Sequence, residues 1–128
     1  MATLYEELGG EDKLRQIISD FVDRVYGDTM IGFFFRGVDP VRIKELEFQH
    51  AAVFLGANLR YEGRPLPAAH KKHRIMGGQF ARRKRILQEV LAAHGVVAHI
   101  ASAWLAHTES LRAAVTRDGV GVCAAAES

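Results

Sequence analysis

One long segment with helical periodicity constrains the fold of this chain more than any other feature. After Gly9 and Gly10, apolar residues recur at the i, i+3, i+4, i+7 spacing of a single buried helix face. They are Leu14, Ile17, Ile18, Phe21, Val22 and Val25. The chain lacks the sustained alternation and the Asn-Gly or Asp-Gly turns that indicate β-hairpins. We therefore predict an all-α domain in which this helix ends near Gly27 and Asp28.

Proline and glycine divide the rest of the chain into further helices. Asp39 and Pro40 indicate a helix start, because a capping side chain precedes proline at the first helical position. This helix is expected to reach about Leu55, with one inner side formed by Ile43, Leu46, His50, Val53 and Phe54. The apolar segment 29–35 between the two helices predicts a helical turn whose aromatic side chains enter the core.

Three more helices are expected toward the C-terminus. Residues 68–73 predict a short helix that Gly77 and Gly78 break. Residues 79–94 predict a longer helix that ends at Gly95 and has its arginines outward. Its inner side chains are expected to be Phe80, Leu87, Val90 and Leu91. The last helix is expected to bury Val97, Ile100, Ala101, Trp104, Leu105, Leu111 and Val115.

Length and composition exclude several classes of protein. A chain of 128 residues, 48% hydrophobic and 25% charged, indicates one globular domain rather than a disordered protein. Cys123 is the single cysteine, which rules out an internal disulfide framework. No apolar run of about 18 residues is present, so no membrane span is predicted. The N-terminus lacks the pattern of a signal peptide, and we expect a soluble, cytoplasmic protein.

Positive charge is concentrated in one part of the chain, although the net charge is only +2. Nine basic residues lie between Arg60 and Arg85, and Glu62 is the single acid among them. Such a cluster can bind phosphates, nucleic acid or the carboxylates of a cofactor, or it can be a solvated helix face. The charge pattern alone does not choose between these alternatives.

The positions of the histidines restrict which metal or cofactor the chain can bind. His70 and His73 are three residues apart and share a helix face, but the chain has no thiolate pair and no HExxH motif, which argues against a zinc enzyme. The three phenylalanines Phe33, Phe34 and Phe35, followed by His50 on an inner helix side, suit a flat apolar cofactor instead. A haem iron needs one imidazole on its proximal side, and its ring needs aromatic and aliphatic walls.

Three separated motifs, in order, resemble those of the truncated haemoglobins, and the resemblance is closest to group 1. LYEELGG (4–10) is similar to the first short helix and glycine pair of that family, and DFVDRVYGDTMIGFFF (20–35) to its second helix and haem-stacking turn. YEGRPLPAAHKKHRI (61–75) is similar to the stretch that leads to the proximal histidine. The resemblance covers residues 3–117 and implies a two-over-two helical sandwich around haem b (iron protoporphyrin IX). We expect a domain over residues 1–117 and a flexible tail over 118–128.

The resemblance implies a role for individual residues. His70 is the proximal iron ligand in this comparison, and His73, one turn away, is its rival. Phe35 stacks on the ring and Phe34 packs beside it, while Tyr61 and Arg64 lie near the propionates, with help from Lys71 or Lys72. The side chains implied to line the proximal side are Leu66, Ile75 and Phe80.

The departures from the family pattern fall on the distal side. Val22 stands where the family has a tyrosine that hydrogen-bonds the iron-bound ligand, and the nearest tyrosine, Tyr26, is about one turn further on. The distal helix can be matched to the family in two registers. An ungapped match directs Ile43, Glu47 and His50 toward the ligand, whereas matching HAAVFL (50–55) to the family's His-Gln-x-x-Phe-Leu shifts the register by four residues. Both registers keep the same face inward, because four residues are about one turn. In one of them, His50 takes the position of a second axial iron ligand. Burial of Glu47 is costly unless it is protonated or paired.

Three functions remain open. The resemblance favours a haem protein that reversibly binds a diatomic gas (oxygen, nitric oxide or carbon monoxide), with a reductase as a candidate partner. Nitric-oxide dioxygenase turnover is allowed by the family, but the distal residues do not support it. The second is a six-coordinate His50/His70 redox or gas-sensing module. The third is a haem-free domain that binds polyanions through Arg82, Arg83, Lys84 and Arg85.

Overall fold

A computed structural model describes residues 2–59 and 77–112 of the chain. These ranges contain five α-helices, one short 3-10 helix and no strand, which confirms the predicted all-α fold. The helices are α1 (Leu4–Leu8), α2 (Gly10–Tyr26), the 3-10 helix (Gly32–Phe35), α3 (Pro40–Leu55), α4 (Gly77–Ala93) and α5 (Ala98–Ser110).

The long helices form two layers. α2 pairs with α3, α4 pairs with α5, and α2 also packs against α4, so that it joins the two layers. The six apolar residues predicted for the inner face of α2 are all buried. α2 is therefore the central helix of a two-over-two sandwich, and its sequence shows the most regular period because neighbours cover it on both layers.

The segment between α2 and α3 matches its prediction only in part. Phe34 and Phe35 are partly buried against the core, and Ile31 is buried. Phe33, however, is 49% exposed, so the expectation that it enters the core was wrong. A 3-10 helix has about three residues per turn, and three consecutive side chains must therefore point in three directions.

α3 has the predicted ends but not the predicted core face. The Asp39 side chain accepts from the Val41 amide, and the helix ends at Gly56, whose φ is 102°. The residues that are buried are Phe48, Gln49, Ala51, Ala52 and Leu55. Val53 is 42% exposed, which contradicts its predicted place on the inner side. Apolar side chains occur around most of this helix, so their period does not select the side that packs on α2.

The last two helices need smaller corrections. α4 already includes Gly77 and Gly78, so the glycine pair lies in this helix instead of before it. The predicted inner residues of α4 are buried, together with Ile86. In α5, Ile100 and Trp104 are buried as predicted, whereas Val97 is 53% exposed because it caps the helix from outside.

Several predictions concern residues outside the described ranges. They are the short helix at 68–73, the burial of Val115 and the tail at 118–128. Within the two described ranges, no helix combines the length and the apolar character needed to cross a bilayer.

Candidate functional site

The face of α3 that points toward α4 and α5 carries the candidate site. Ile43, Glu47, His50 and Phe54 follow one another at intervals of four, three and four residues, which places them on one side of the helix. All four side chains are half-buried, and those of Ile43 and Phe54 pack against the core. The fully buried residues of α3 lie at other positions of the helix, and the roles assigned to Ile43, Glu47 and His50 from the sequence stay predictions.

His50 contacts an aromatic group that extends to α5. The ring of His107 stacks on Phe54 with centroids 4.0 Å apart and planes at 9°. The centroids of His50 and His107 are 5.8 Å apart. Burial lowers the pKa of His50, with the Glu47 charge opposing the shift and the Arg83 charge adding to it. Burial and the neighbouring His50 lower the pKa of His107 as well. The neutral imidazole is thus favoured at both positions, and a neutral imidazole nitrogen can ligate a metal.

Glu47 has a partner that the sequence did not reveal. Its Oε2 lies 3.0 Å from a terminal guanidinium nitrogen of Arg83 on α4. The two side chains are 31% and 32% exposed. The guanidinium carbon of Arg83 also lies 5.0 Å from the centroid of the Phe21 ring. The ion pair with Arg83 avoids the free-energy cost of burying an unpaired carboxylate. Pairing was one of the two conditions under which burial of Glu47 was expected.

The contact of Arg83 with α3 was not predicted from the sequence. Arg83 was placed with the outward arginines of α4, because the four consecutive basic residues are alike in type. Counting four residues back from Leu87, a predicted inner position, leads to Arg83 and is the one local signal for an inward direction. The Glu47 partner is 36 residues away in the chain and is not deducible from one sequence.

The position on α2 that the sequence assigned to the distal side has no hydroxyl group. Val22 is 2% exposed within the core and has no hydrogen-bond donor in its side chain. Tyr26 does not replace the missing group, because its hydroxyl donates to the backbone oxygen of Val38 at 3.0 Å. Its ring stacks on Phe35 with centroids 5.1 Å apart. Burial, followed by the Asp39 charge, raises the pKa of Tyr26.

Aromatic residues border the site at two further places. Phe34 lies against Phe33, with ring centroids 4.2 Å apart, and packs on the core beside Phe35. Phe80 on α4 is buried, and the guanidinium carbon of Arg112 lies 4.8 Å from its centroid. The structure thus supplies apolar and aromatic surfaces at positions that the sequence assigned to cofactor binding.

The proximal prediction lies outside the described residues. It consists of His70, the rival His73, and the lining and propionate residues Tyr61, Arg64, Leu66, Lys71, Lys72 and Ile75. These assignments therefore stay predictions.

The described part of the basic cluster is paired with acids. Arg82 bonds Asp28, Lys84 bonds Glu109 and Arg85 bonds Glu89. Together with the Arg83–Glu47 pair, each cation of this four-residue run has a carboxylate within 3.1 Å. The positive field expected of the run is therefore reduced at short range.

The side chains present fit a haem on the distal side. A flat macrocycle needs aromatic and aliphatic walls, which Phe34, Phe35 and Ile43 offer, and iron accepts a neutral imidazole, which His50 offers. The propionates need cationic partners, and the residues predicted for them lie in the range 60–76, outside the description.

Known proteins are similar to this chain over most of its length. The sequence model of the bacterial-like globins matches residues 3–117. A group 1 truncated haemoglobin of Mycolicibacterium paratuberculosis is 30% identical over 95 residues, which is 74% of this chain and 70% of that protein. A group 1 truncated haemoglobin of a Nostoc species is 26% identical over 119 residues, covering 90% of this chain and 98% of the relative.

Solved structures show the same fold. The Fe(III) form of truncated haemoglobin from Tetrahymena pyriformis superposes with a TM-score of 0.84 at 23% identity, covering 90% of this chain and 98% of that one. The 2/2 haemoglobin of a Synechococcus species, solved in the cyanomet state with covalently attached haem, gives a TM-score of 0.80 at 23% identity. It covers 86% of this chain and 93% of that structure.

Proposed function

The chain belongs to the bacterial-like globins, and from this we propose that it holds one haem b and binds a diatomic gas reversibly at the iron. The observation that carries the proposal is the half-buried side of α3 that reaches the last two helices. Glu47 pairs there with Arg83 on α4, Phe54 stacks on His107 of α5, and the centroid of His50 lies 5.8 Å from that of His107. Haem supplies an iron centre that binds oxygen, nitric oxide or carbon monoxide. The similarity to group 1 truncated haemoglobins supports the same cofactor.

The chain holds the cofactor from two sides in this proposal. Phe35 stacks on the ring and Phe34 supports it, and the partial burial of both side chains against the core supports this assignment. On the other side, His70 ligates the iron, and His73 is the alternative. The proximal wall consists of Leu66, Ile75 and the buried Phe80, while Tyr61 and Arg64 receive the propionates.

The distal residues determine what the iron can hold. A diatomic ligand gains partial negative charge on binding and is retained by a hydrogen-bond donor. Val22 cannot provide one, and Tyr26 donates its hydroxyl to Val38. Weak retention of oxygen and ready oxidation of the iron follow unless another distal group donates. We therefore do not propose nitric-oxide dioxygenase turnover as the main activity.

A second candidate function is a six-coordinate redox or gas-sensing module with His50 and His70 both on iron. It is favoured by one observation, the burial that holds the His50 imidazole in its neutral form beside Phe54 and His107. An external ligand must then displace His50. Such a centre suits electron exchange with a reductase, or sensing, better than oxygen storage.

The absorption spectrum of the ferrous, ligand-free protein separates the two functions. A five-coordinate spectrum that His50→Ala leaves unchanged supports reversible gas binding with an open iron position. A six-coordinate spectrum that becomes five-coordinate in His50→Ala supports the redox or sensor function. His99→Ala is a matched control, because His99 is exposed and pairs with Glu7 at the protein surface. The absence of stoichiometric haem uptake would contradict both functions.

A further inference from the structure

Arg83 is set apart from the three other cations of its run by the element that it contacts. Arg82 and Lys84 reach acids beyond the end of α2 and at the end of α5, and Arg85 reaches the next turn of its own helix. Arg83 alone in this run extends to α3, where it meets Glu47 on the inner face. Its guanidinium also lies over Phe21, the residue next to Val22.

The hydrogen bonds of Arg83 leave donors unused. Arg82 bonds Asp28 through both its Nε and one terminal nitrogen. Among the described residues, Arg83 bonds Glu47 through one terminal nitrogen only. A guanidinium carries five N–H groups in a planar fork, so Arg83 retains donors that point away from the carboxylate. Glu47 lies three residues before His50 on the same side of α3, so its partner Arg83 reaches the side of the helix that carries His50.

Resting on the haem site proposed above, we propose that Arg83 is the distal hydrogen-bond donor of this globin and selects small anions as ligands of the iron. Glu47 positions the guanidinium by holding one edge of it. A donor with a full positive charge favours fluoride, azide or nitrite over a neutral gas, because charge-assisted hydrogen bonds are about twice as strong as neutral ones. Glu47 also reduces the anion affinity, because its negative charge neutralises part of the Arg83 charge.

The two members of the pair therefore have opposite expected effects. Arg83→Met keeps much of the side-chain volume but removes the charge and the donors, so fluoride and azide affinity should fall about ten- to a hundred-fold. Arg83→Lys keeps the charge and should retain part of the affinity. Glu47→Gln should raise anion affinity, because the guanidinium then faces a neutral amide.

The test uses the full chain loaded with haem in its ferric form. Sodium fluoride and sodium azide are titrated separately while the Soret band is followed, and carbon monoxide is titrated into the ferrous form as the neutral ligand. Arg82→Met is the matched control, because Arg82 is the adjacent cation and its partner Asp28 belongs to the segment after α2 and not to α3. The same series in the His50→Ala background removes any competition from His50 for the iron.

The proposal predicts weaker fluoride and azide binding in Arg83→Met, little change for carbon monoxide, and wild-type anion affinity in Arg82→Met. Anion affinities within about twofold of wild type in both Arg83 variants would overturn it. So would an equal loss for anions and carbon monoxide. Failure of the wild-type chain to take up haem appears in the first spectrum and counts against the proposed function itself, whereas normal uptake with unchanged anion affinity counts against Arg83 only.

Discussion

The hydroxyl of Tyr26 donates its proton to the backbone and not to the predicted distal side. Tyr26 is the tyrosine nearest to Val22 along α2, about one turn further on. In the structure its hydroxyl donates to Val38, between the 3-10 helix and α3, and its ring stacks on Phe35. The hydroxyl proton of Tyr26 is therefore committed to the segment between α2 and α3.

Tyr26→Phe should separate these two roles. The variant loses the bond to Val38 but keeps the stacking on Phe35, so the free energy of unfolding should fall by about 0.5–1.5 kcal/mol. Oxygen and fluoride affinity of the haem-loaded protein should be unchanged. Urea unfolding and ligand titration measure the two effects. A tenfold loss of ligand affinity without a loss of stability would show that the hydroxyl reaches the ligand.

Glu109 gives a pH-dependent contribution to stability. Hydrogen bonds from Arg112 and Lys84 lower the pKa of its carboxyl from 4.5 to about 2. A carboxyl with a lowered pKa stabilises the folded state above pH 4.5, and this contribution decreases as the pH falls toward 2. The contribution should be at most ~1 kcal/mol, because the side chain is 41% exposed and water screens the pair.

Glu109→Gln should therefore be less stable than wild type at pH 6, and the difference should shrink at pH 3.5. Urea unfolding at the two pH values measures it. Glu11→Gln is a suitable control, because Glu11 pairs with Arg15 at the surface of α2, far from Glu109 in the chain. A difference between wild type and Glu109→Gln that grows on acidification would contradict the assignment.

At the scale of helices, the sequence predicts the buried face of a helix that is covered by several neighbours. It does not predict the buried face of a helix with apolar residues on two opposite sides. α2 is covered by α1, α3 and α4, so one apolar period specifies its whole inner face. α3 has a core side with Phe48 and Ala52 and a site side with His50 and Phe54, both containing apolar residues. Its sequence therefore predicts the helix and its ends, but not which side packs on α2. The inward direction of Arg83 depends on a partner in α3 and was missed for the same reason.

The turn between α2 and α3 depends on a close approach at Gly32. A Cβ at this position would lie 2.6 Å from the backbone oxygen of Tyr26. Gly32→Ala should therefore displace the 3-10 helix that carries Phe34 and Phe35, and lower the free energy of unfolding by about 1–3 kcal/mol. Haem affinity should decrease with it.

Gly78→Ala is the matched control for Gly32→Ala. Its Cβ would meet only the Met30 methyl at 3.8 Å, an ordinary contact. Replacing a helical glycine at an unstrained position should leave stability unchanged or raise it by up to about 1 kcal/mol. Thermal unfolding of both variants measures the contrast. Equal stability of the two variants would show that the Gly32 contact is not limiting.

At the scale of the whole molecule, the ion pairs of α4 argue against a haem-free protein that binds polyanions. That interpretation required Arg82, Arg83, Lys84 and Arg85 to present an open basic face. All four are paired with carboxylates, which come from three other parts of the fold and from α4 itself. The pairs join α4 to α3, α5 and the end of α2, so these cations serve the packing of the two layers.

In the proposed function, the two layers enclose a haem whose iron is held by His70. Haem titration of the wild type, His70→Ala and His73→Ala, followed at the Soret band, tests this ligation. We predict one haem per chain for the wild type, loss of the ligated Soret spectrum in His70→Ala, and a wild-type spectrum in His73→Ala. A wild-type chain that takes up no stoichiometric haem, or a spectrum that survives His70→Ala and is lost in His73→Ala, would contradict the account.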